Sequence, residues 1–255
     1  MLDLIHRLHH NSTVEWRVQT IDKAFDSKKI RTVMLPLLGS LASSVIFLAL
    51  FGWIAEEVFE GELQKFDFHI RNFVHHLATP ALTKIMQGFT ELGSVGVLSI
   101  LFGIALACFV LAKLRGPAVW LFVAMVGAIV LEVTLKLVFH RARPEPYFGP
   151  MPRSYSFPSG HAMGSFVFYG VIAGVLCARI NSQLTRVMIW SATALLVTAI
   201  GFSRIYLGVH YPTDVIAGYA AGAMWVSALL FLDRIELRQP PKERDESVST
   251  QKSSN

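Results

Sequence analysis

Six runs of mostly apolar residues divide the chain, at 33–55, 94–113, 117–139, 162–180, 186–202 and 213–232. Each approaches the length of about 20 residues that a helix needs to cross the hydrocarbon of a bilayer. The pattern predicts an all-α integral membrane protein with six transmembrane helices. The stretch between the first two runs, "EEVFEGELQKFDFHIRNFVHHLATPALTKIMQGFTELG", is different. Its apolar residues Phe66, Ile70, Phe73, Val74 and Leu77 recur at helical spacing among polar ones, which predicts an interfacial helical segment over 56–93. Residues 1–32 read as a polar cytoplasmic segment, 33–232 as one membrane domain, and 233–255 as a polar, disordered tail.

Composition agrees with this pattern. The 255 residues are 53% hydrophobic and only 16% charged, against roughly 25% charged in a soluble domain. A net charge of +5 raises nucleic acid as a partner. The basic residues are spread over tails and loops, with no basic stripe interleaved with aromatics, so that partner is excluded. Cys108 and Cys177 each lie in an apolar run and read as small buried hydrophobes. The N-terminal residues lack the apolar core of a cleavable signal peptide, so the first spanning helix is expected to be retained.

Lysine and arginine positions set an expected orientation. With six spans both termini share a side, and 15 of the 23 lysines and arginines fall there. That side is expected to be cytoplasmic. The opposite face, toward periplasm or exterior, then carries three polar clusters at helix ends: "KLVFHRARP", "RSYSFPSGHAMGS" and "GFSRIYLGVHYPTDVIAG". Ionisable residues within membrane segments are costly and mark function.

The clusters have complementary chemistry. Lys136 and Arg143 are two helical turns apart, so both can lie on one side of the helix or its extension, which Pro144 is expected to stop. Ser159 and Gly160 precede a predicted helix start, where free backbone N–H groups form an anion site, with His161 beside it. Arg204 adds a third cation. His210 and Asp214 are four apart. In the first turns of one helix they share a face, so the carboxylate can orient the imidazole. A tetrahedral oxyanion fits this inventory, and phosphoryl transfer needs mainly positioning and charge stabilisation. One histidine can act as nucleophile and the other as acid. No cysteine cluster or carboxylate-rich set accompanies them, so the reaction is expected to need no metal and no cofactor.

The motifs "KLVFHRARP", "PSGH" and "SRIYLGVHYPTD" together resemble the signatures of the type-2 phosphatidic acid phosphatase superfamily, in order and at every signature position. The resemblance implies roles. His210 is the nucleophile that forms a phosphohistidine, and Asp214 orients it. His161 is the acid for the leaving group and then the base for water. Lys136, Arg143 and Arg204 hold the phosphoryl oxygens, helped by Ser159 and the Gly160 N–H.

The expected activity is hydrolysis of a phosphomonoester or pyrophosphate on a membrane lipid. Small size and short loops suggest a bacterial inner membrane, and on that ground undecaprenyl pyrophosphate is the favoured substrate. Phosphatidate and phosphatidylglycerophosphate are the alternatives within the family. A non-catalytic lipid-phosphate binder or transporter, and vanadate-dependent haloperoxidase chemistry, are the alternatives outside it. The partners expected are the lipid phosphate and the surrounding membrane lipids. His140 and Arg141 lie between signature positions and are expected to touch headgroups or solvent. Glu132, four residues before Lys136, either holds that lysine or serves the fold alone.

Overall fold

The structure is a computed structural model and describes residues 27–236, with side chains from 34 to 235. The predicted cytoplasmic segment up to residue 26 and the predicted tail beyond 236 lie outside the described residues. Among those described, the chain is helical: α1 Ser27–Glu60, α2 Gln64–His76, α3 Pro80–Leu92, α4 Val95–Leu111, α5 Arg115–Phe139, α6 Gly160–Cys177, α7 Gln183–Tyr206 and α8 Pro212–Glu236. Five of these are long and apolar enough to cross a membrane, or six if α3 and α4 count as one bent span. The chain is an integral membrane protein.

Residues 43–229 form one compact unit. The described parts of a second unit are 27–42 and 230–236, within which the Arg234 guanidinium donates to the Pro36 carbonyl.

Within the larger unit, burial follows membrane rules. The buried faces are built from small and medium residues, such as Ala124, Ala128, Ala217, Ala220 and Ala221 around Leu121, Met163 and Val167. The α5 residues Val119, Phe122, Val126, Ile129, Val130 and Leu137 point outward and are exposed. Lipid is as apolar as leucine, so helices here associate through close packing rather than through hiding apolar surface. At Gly218, α8 passes so close to the start of α6 that a Cβ would lie 2.6 Å from the Ser159 carbonyl oxygen.

The second span matches its expected position, with α4 lying inside 94–113. The 17-residue α4 follows α3 at a 46° bend, and Ser94 caps α4 by accepting the Val97 N–H. The break falls at Gly93, where a side chain would run into Ile200 and His161. Three other local features differ from expectation. First, α5 ends at Phe139, where its apolar run ends, and Pro144 is not what stops it. His140 takes a left-handed conformation (φ 45°), and its N–H bonds the Lys136 carbonyl, a common helix ending. Arg143 therefore lies in an irregular segment, not on an extended helix. Then α7 runs to Tyr206, which puts Arg204 in its last turn rather than after its end. Finally, α8 begins at Pro212, so His210 precedes the helix instead of sitting in its first turn.

The outward face of α2 is the apolar one, as an interfacial helix requires, and its inward face is charged. Phe66, Phe73 and Leu77 are exposed, whereas Asp67, Arg71 and Val74 are buried. The residues at positions i, i+4 and i+7 thus form a buried stripe that is mainly charged, and the aromatic residues face outward.

The segment 140–159 is tied down by its own backbone. Tyr147 and Phe148 N–H groups donate to the Leu207 carbonyl, Ser156 N–H to Arg141, and Ser159 N–H to Asp214. It thus joins the end of α5 to the α7–α8 turn. In that turn Gly208 has φ +77°, and a Cβ would meet the Tyr147 backbone nitrogen at 2.6 Å. Both conditions require glycine.

Candidate active site

The end of α5, the start of α6, the end of α7 and the start of α8 converge. His210 is held from three sides. Its N–H donates to the Arg204 carbonyl at 3.3 Å. Its Nδ1 lies 3.4 Å from Asp214 Oδ2, and its Nε2 lies 2.9 Å from Arg143 Nη1. It is 1% exposed. Burial pulls its pKa from 6.5 down to about 3, against the opposing hydrogen bond and charge of Asp214.

Asp214 is fully buried and saturated with donors. Oδ2 accepts the Ser156 hydroxyl at 2.5 Å and the Tyr211 N–H at 2.8 Å, while Oδ1 accepts Arg141 Nη1 at 2.5 Å. The Tyr211 bond compensates for His210 lying ahead of the helix: the turn, rather than a shared helical face, brings carboxylate and imidazole together.

Arg143 spreads its donors over the same region. Nε reaches the Ser154 carbonyl at 2.6 Å, Nη2 the Ser154 hydroxyl at 2.9 Å, and Nη1 the Val209 carbonyl at 2.9 Å. Arg204, buried at the end of α7, donates from Nη1 to the Thr90 hydroxyl on α3, and its buried Nε has no hydrogen-bond partner among the described residues. Lys136 Nζ pairs with Glu132 Oε1 at 2.6 Å. A Cβ on Gly160 would collide with that Glu132 carboxylate. Glu132 thus holds Lys136 and lies against the N-terminus of α6, where a negative charge is favoured.

Ser159 caps α6, its hydroxyl accepting the Ala162 N–H at 3.5 Å. His161, half-buried in the first turn, is within electrostatic reach of Arg204, His210, Lys136 and Arg143. All eight residues singled out in the three motifs therefore come together. Among the described residues no group of histidines, cysteines or carboxylates has the arrangement of a metal site.

Arg141 corrects an expectation. It does not face headgroups or solvent; it turns inward and bridges Asp214 to Asp67 of α2, with Nη2 2.7 Å from Asp67 Oδ2. Burial pulls its pKa down, but the Asp214 and Asp67 carboxylates more than offset this and raise it above the usual guanidinium value. Its guanidinium also lies 4.3 Å over the Tyr211 ring. Asp67, Arg141, Ser156 and Thr213 were not read from sequence as site residues. One signal was available: Asp67 and Arg71 fall on the repeat of a single helix face, and two charges on one stripe of an interfacial helix call for buried partners.

The PAP2 superfamily pattern matches residues 117–234. Phosphatidylglycerophosphatase B of Bacillus subtilis is 30% identical over 175 residues, covering 67% of this chain and 85% of the relative. An undecaprenyl-diphosphatase of Sulfolobus acidocaldarius is 34% identical over 123 residues, covering 46% of this chain and 55% of that protein. The crystal structure of a transmembrane PAP2-type phosphatidylglycerolphosphate phosphatase from Bacillus subtilis superposes with a TM-score of 0.70 at 26% identity, covering 78% of this chain and 99% of the other. With the motifs, the helical frame and a relative matched over most of its length in agreement, the chain belongs to the PAP2 superfamily and is a membrane phosphatase.

Proposed function

We propose that the protein hydrolyses the terminal phosphate of a membrane lipid through a phosphohistidine at His210. The observation that carries this reading is the two-sided contact of that ring. Arg143 Nη1 can only donate, so His210 Nε2 presents a lone pair to it, and the ring proton sits on Nδ1 toward Asp214. The lone pair thus opens toward the cations that suit a phosphoryl group.

In the first step Nε2 attacks phosphorus and the bond from phosphorus to the leaving oxygen breaks. His161 gives that oxygen its proton. Lys136, Arg143 and Arg204, with the Ser159 hydroxyl and the Gly160 N–H, hold the three equatorial oxygens. Water then attacks phosphorus as His161 takes a proton from it, the N–P bond breaks, and inorganic phosphate leaves. The three side-chain cations supply the charge stabilisation that metal ions provide in many other phosphoryl-transfer sites.

The substrate class we favour is a glycerophospholipid phosphomonoester of the phosphatidylglycerophosphate kind. The relative of that name is matched over 85% of its length. Undecaprenyl pyrophosphate, favoured from sequence, is the second reading, supported by the undecaprenyl-diphosphatase relative. Phosphate release from both lipids and from phosphatidate, assayed side by side in detergent, decides between them. A kcat/KM highest for phosphatidylglycerophosphate supports the first reading. A maximum at undecaprenyl pyrophosphate replaces it with the second.

The site is proposed to face the periplasm or exterior of a bacterial inner membrane, with both termini cytoplasmic. The distribution of lysine and arginine supports this. Single cysteines introduced at Arg153 and at Lys113, in a chain lacking Cys108 and Cys177, test it. The first should react with an impermeant thiol reagent in intact cells and the second only after lysis. The reverse pattern would invert the orientation.

A further inference from the structure

Arg141 is shared by two carboxylates that have no solvent exposure, Asp214 and Asp67. Asp67 also accepts the Thr213 N–H at 3.0 Å and the Thr213 hydroxyl at 2.7 Å. Thr213 immediately precedes Asp214 in the first turn of α8. The Thr213 hydroxyl in turn accepts from Arg141 Nη1 at 2.8 Å. One side chain of α2 therefore anchors both the start of α8 and the guanidinium bound to Asp214. Asp67 lies outside the 117–234 match to the superfamily, so the family-defined region does not contain it.

The charge balance gives this contact a consequence. Within the cluster on the Nδ1 side of His210, two carboxylates share one guanidinium, so that cluster carries one net negative charge, opposite the Arg143 guanidinium at Nε2. When Nε2 bonds phosphorus, the imidazole becomes a cation whose Nδ1–H remains on Asp214. A carboxylate wholly neutralised by Arg141 would stabilise that cation less. We propose that Asp67 is a positioning residue for the nucleophile. Through Thr213 it fixes the first turn of α8, and by sharing Arg141 it leaves Asp214 negative toward His210. This inference rests on His210 being the nucleophile.

The test is Asp67→Asn, which keeps the size of the side chain and an acceptor for the Thr213 N–H. We expect kcat to fall about 10- to 100-fold, the scale at which outer partners of a functional ligand act. KM should stay within about twofold, because the interaction gains strength only as the intermediate forms. The single-turnover rate of phosphoenzyme formation should fall by the same factor as kcat. A wild-type kcat overturns the inference. So does a rise in KM that accounts for the whole loss of kcat/KM, which would put Asp67 in substrate binding.

If Asp67→Asn does not fold, Thr213→Ala is read in its place, since it removes the hydroxyl bonded to Asp67 and keeps the main-chain N–H. There kcat should fall about fivefold at constant KM, the worth of roughly one hydrogen bond, and an unchanged kcat overturns the inference. His210→Ala separates the two levels. Turnover in that variant removes the phosphohistidine reading itself, whereas an inactive His210→Ala beside a fully active Asp67→Asn removes only the role of Asp67.

Discussion

His210 Nε2 lies 2.9 Å from Arg143 Nη1. A guanidinium has no acceptor, so this contact fixes the tautomer of the ring without reference to any substrate. In the proposed reaction phosphorus would approach Nε2 from the direction that Arg143 occupies, and Arg143 would yield that position while keeping its bonds to Ser154 and Val209.

Arg143→Lys therefore should not act as a conservative change. An ammonium is a compact point charge and cannot span Ser154, Val209 and His210 together. Steady-state assays should show kcat/KM reduced about 100- to 1000-fold, comparable to losing one donor at a developing oxyanion. A variant within a few-fold of wild type would show that charge alone suffices there.

Acid should destabilise the protein through His210. Its pKa is about 3 in the folded protein against 6.5 in an unfolded chain. The depressed value means that the unfolded chain takes up the proton first as pH falls. Stability from this group is full above pH 6.5 and is lost progressively toward pH 3, by about 1.4 kcal/mol per pH unit at most. Unfolding midpoints in detergent should fall more steeply with acid for wild type than for His210→Asn. Parallel curves would show that the ring titrates normally.

Gly160→Ala should impair both stability and turnover. The added methyl group meets the Glu132 carboxylate, which is itself tied to Lys136. Overpacking of this kind costs about 1–3 kcal/mol, and displacing Lys136 should raise KM for the lipid phosphate. Gly170→Ala is the matched control, because a Cβ there has nothing within 4 Å. Equal effects from the two substitutions would show that the Glu132 contact is unimportant.

The helical frame was legible because the length of an apolar run maps directly onto the thickness of a bilayer. The eight motif residues were legible because each short motif carries its own chemistry. Less visible was anything set by packing between distant segments. The α3–α4 bend depends on the room that Gly93 leaves for Ile200 and His161. The position of His210 ahead of α8 depends on a turn held by Leu207, Gly208 and Tyr147. Asp67 and Arg141 were missed because apolar periodicity marks the face that meets lipid here. The inward face of α2 is instead the charged one, paired with residues more than seventy positions away.

His210 is the residue proposed to carry the phosphoryl group. Acid-labile, base-stable phosphate trapped on the enzyme during single turnover of a labelled lipid phosphate, and mapped by mass spectrometry, tests it most directly. Label on His210 should form and decay at rates consistent with turnover and be absent from His210→Ala. Label on another residue, or undiminished phosphate release by His210→Ala, would contradict it.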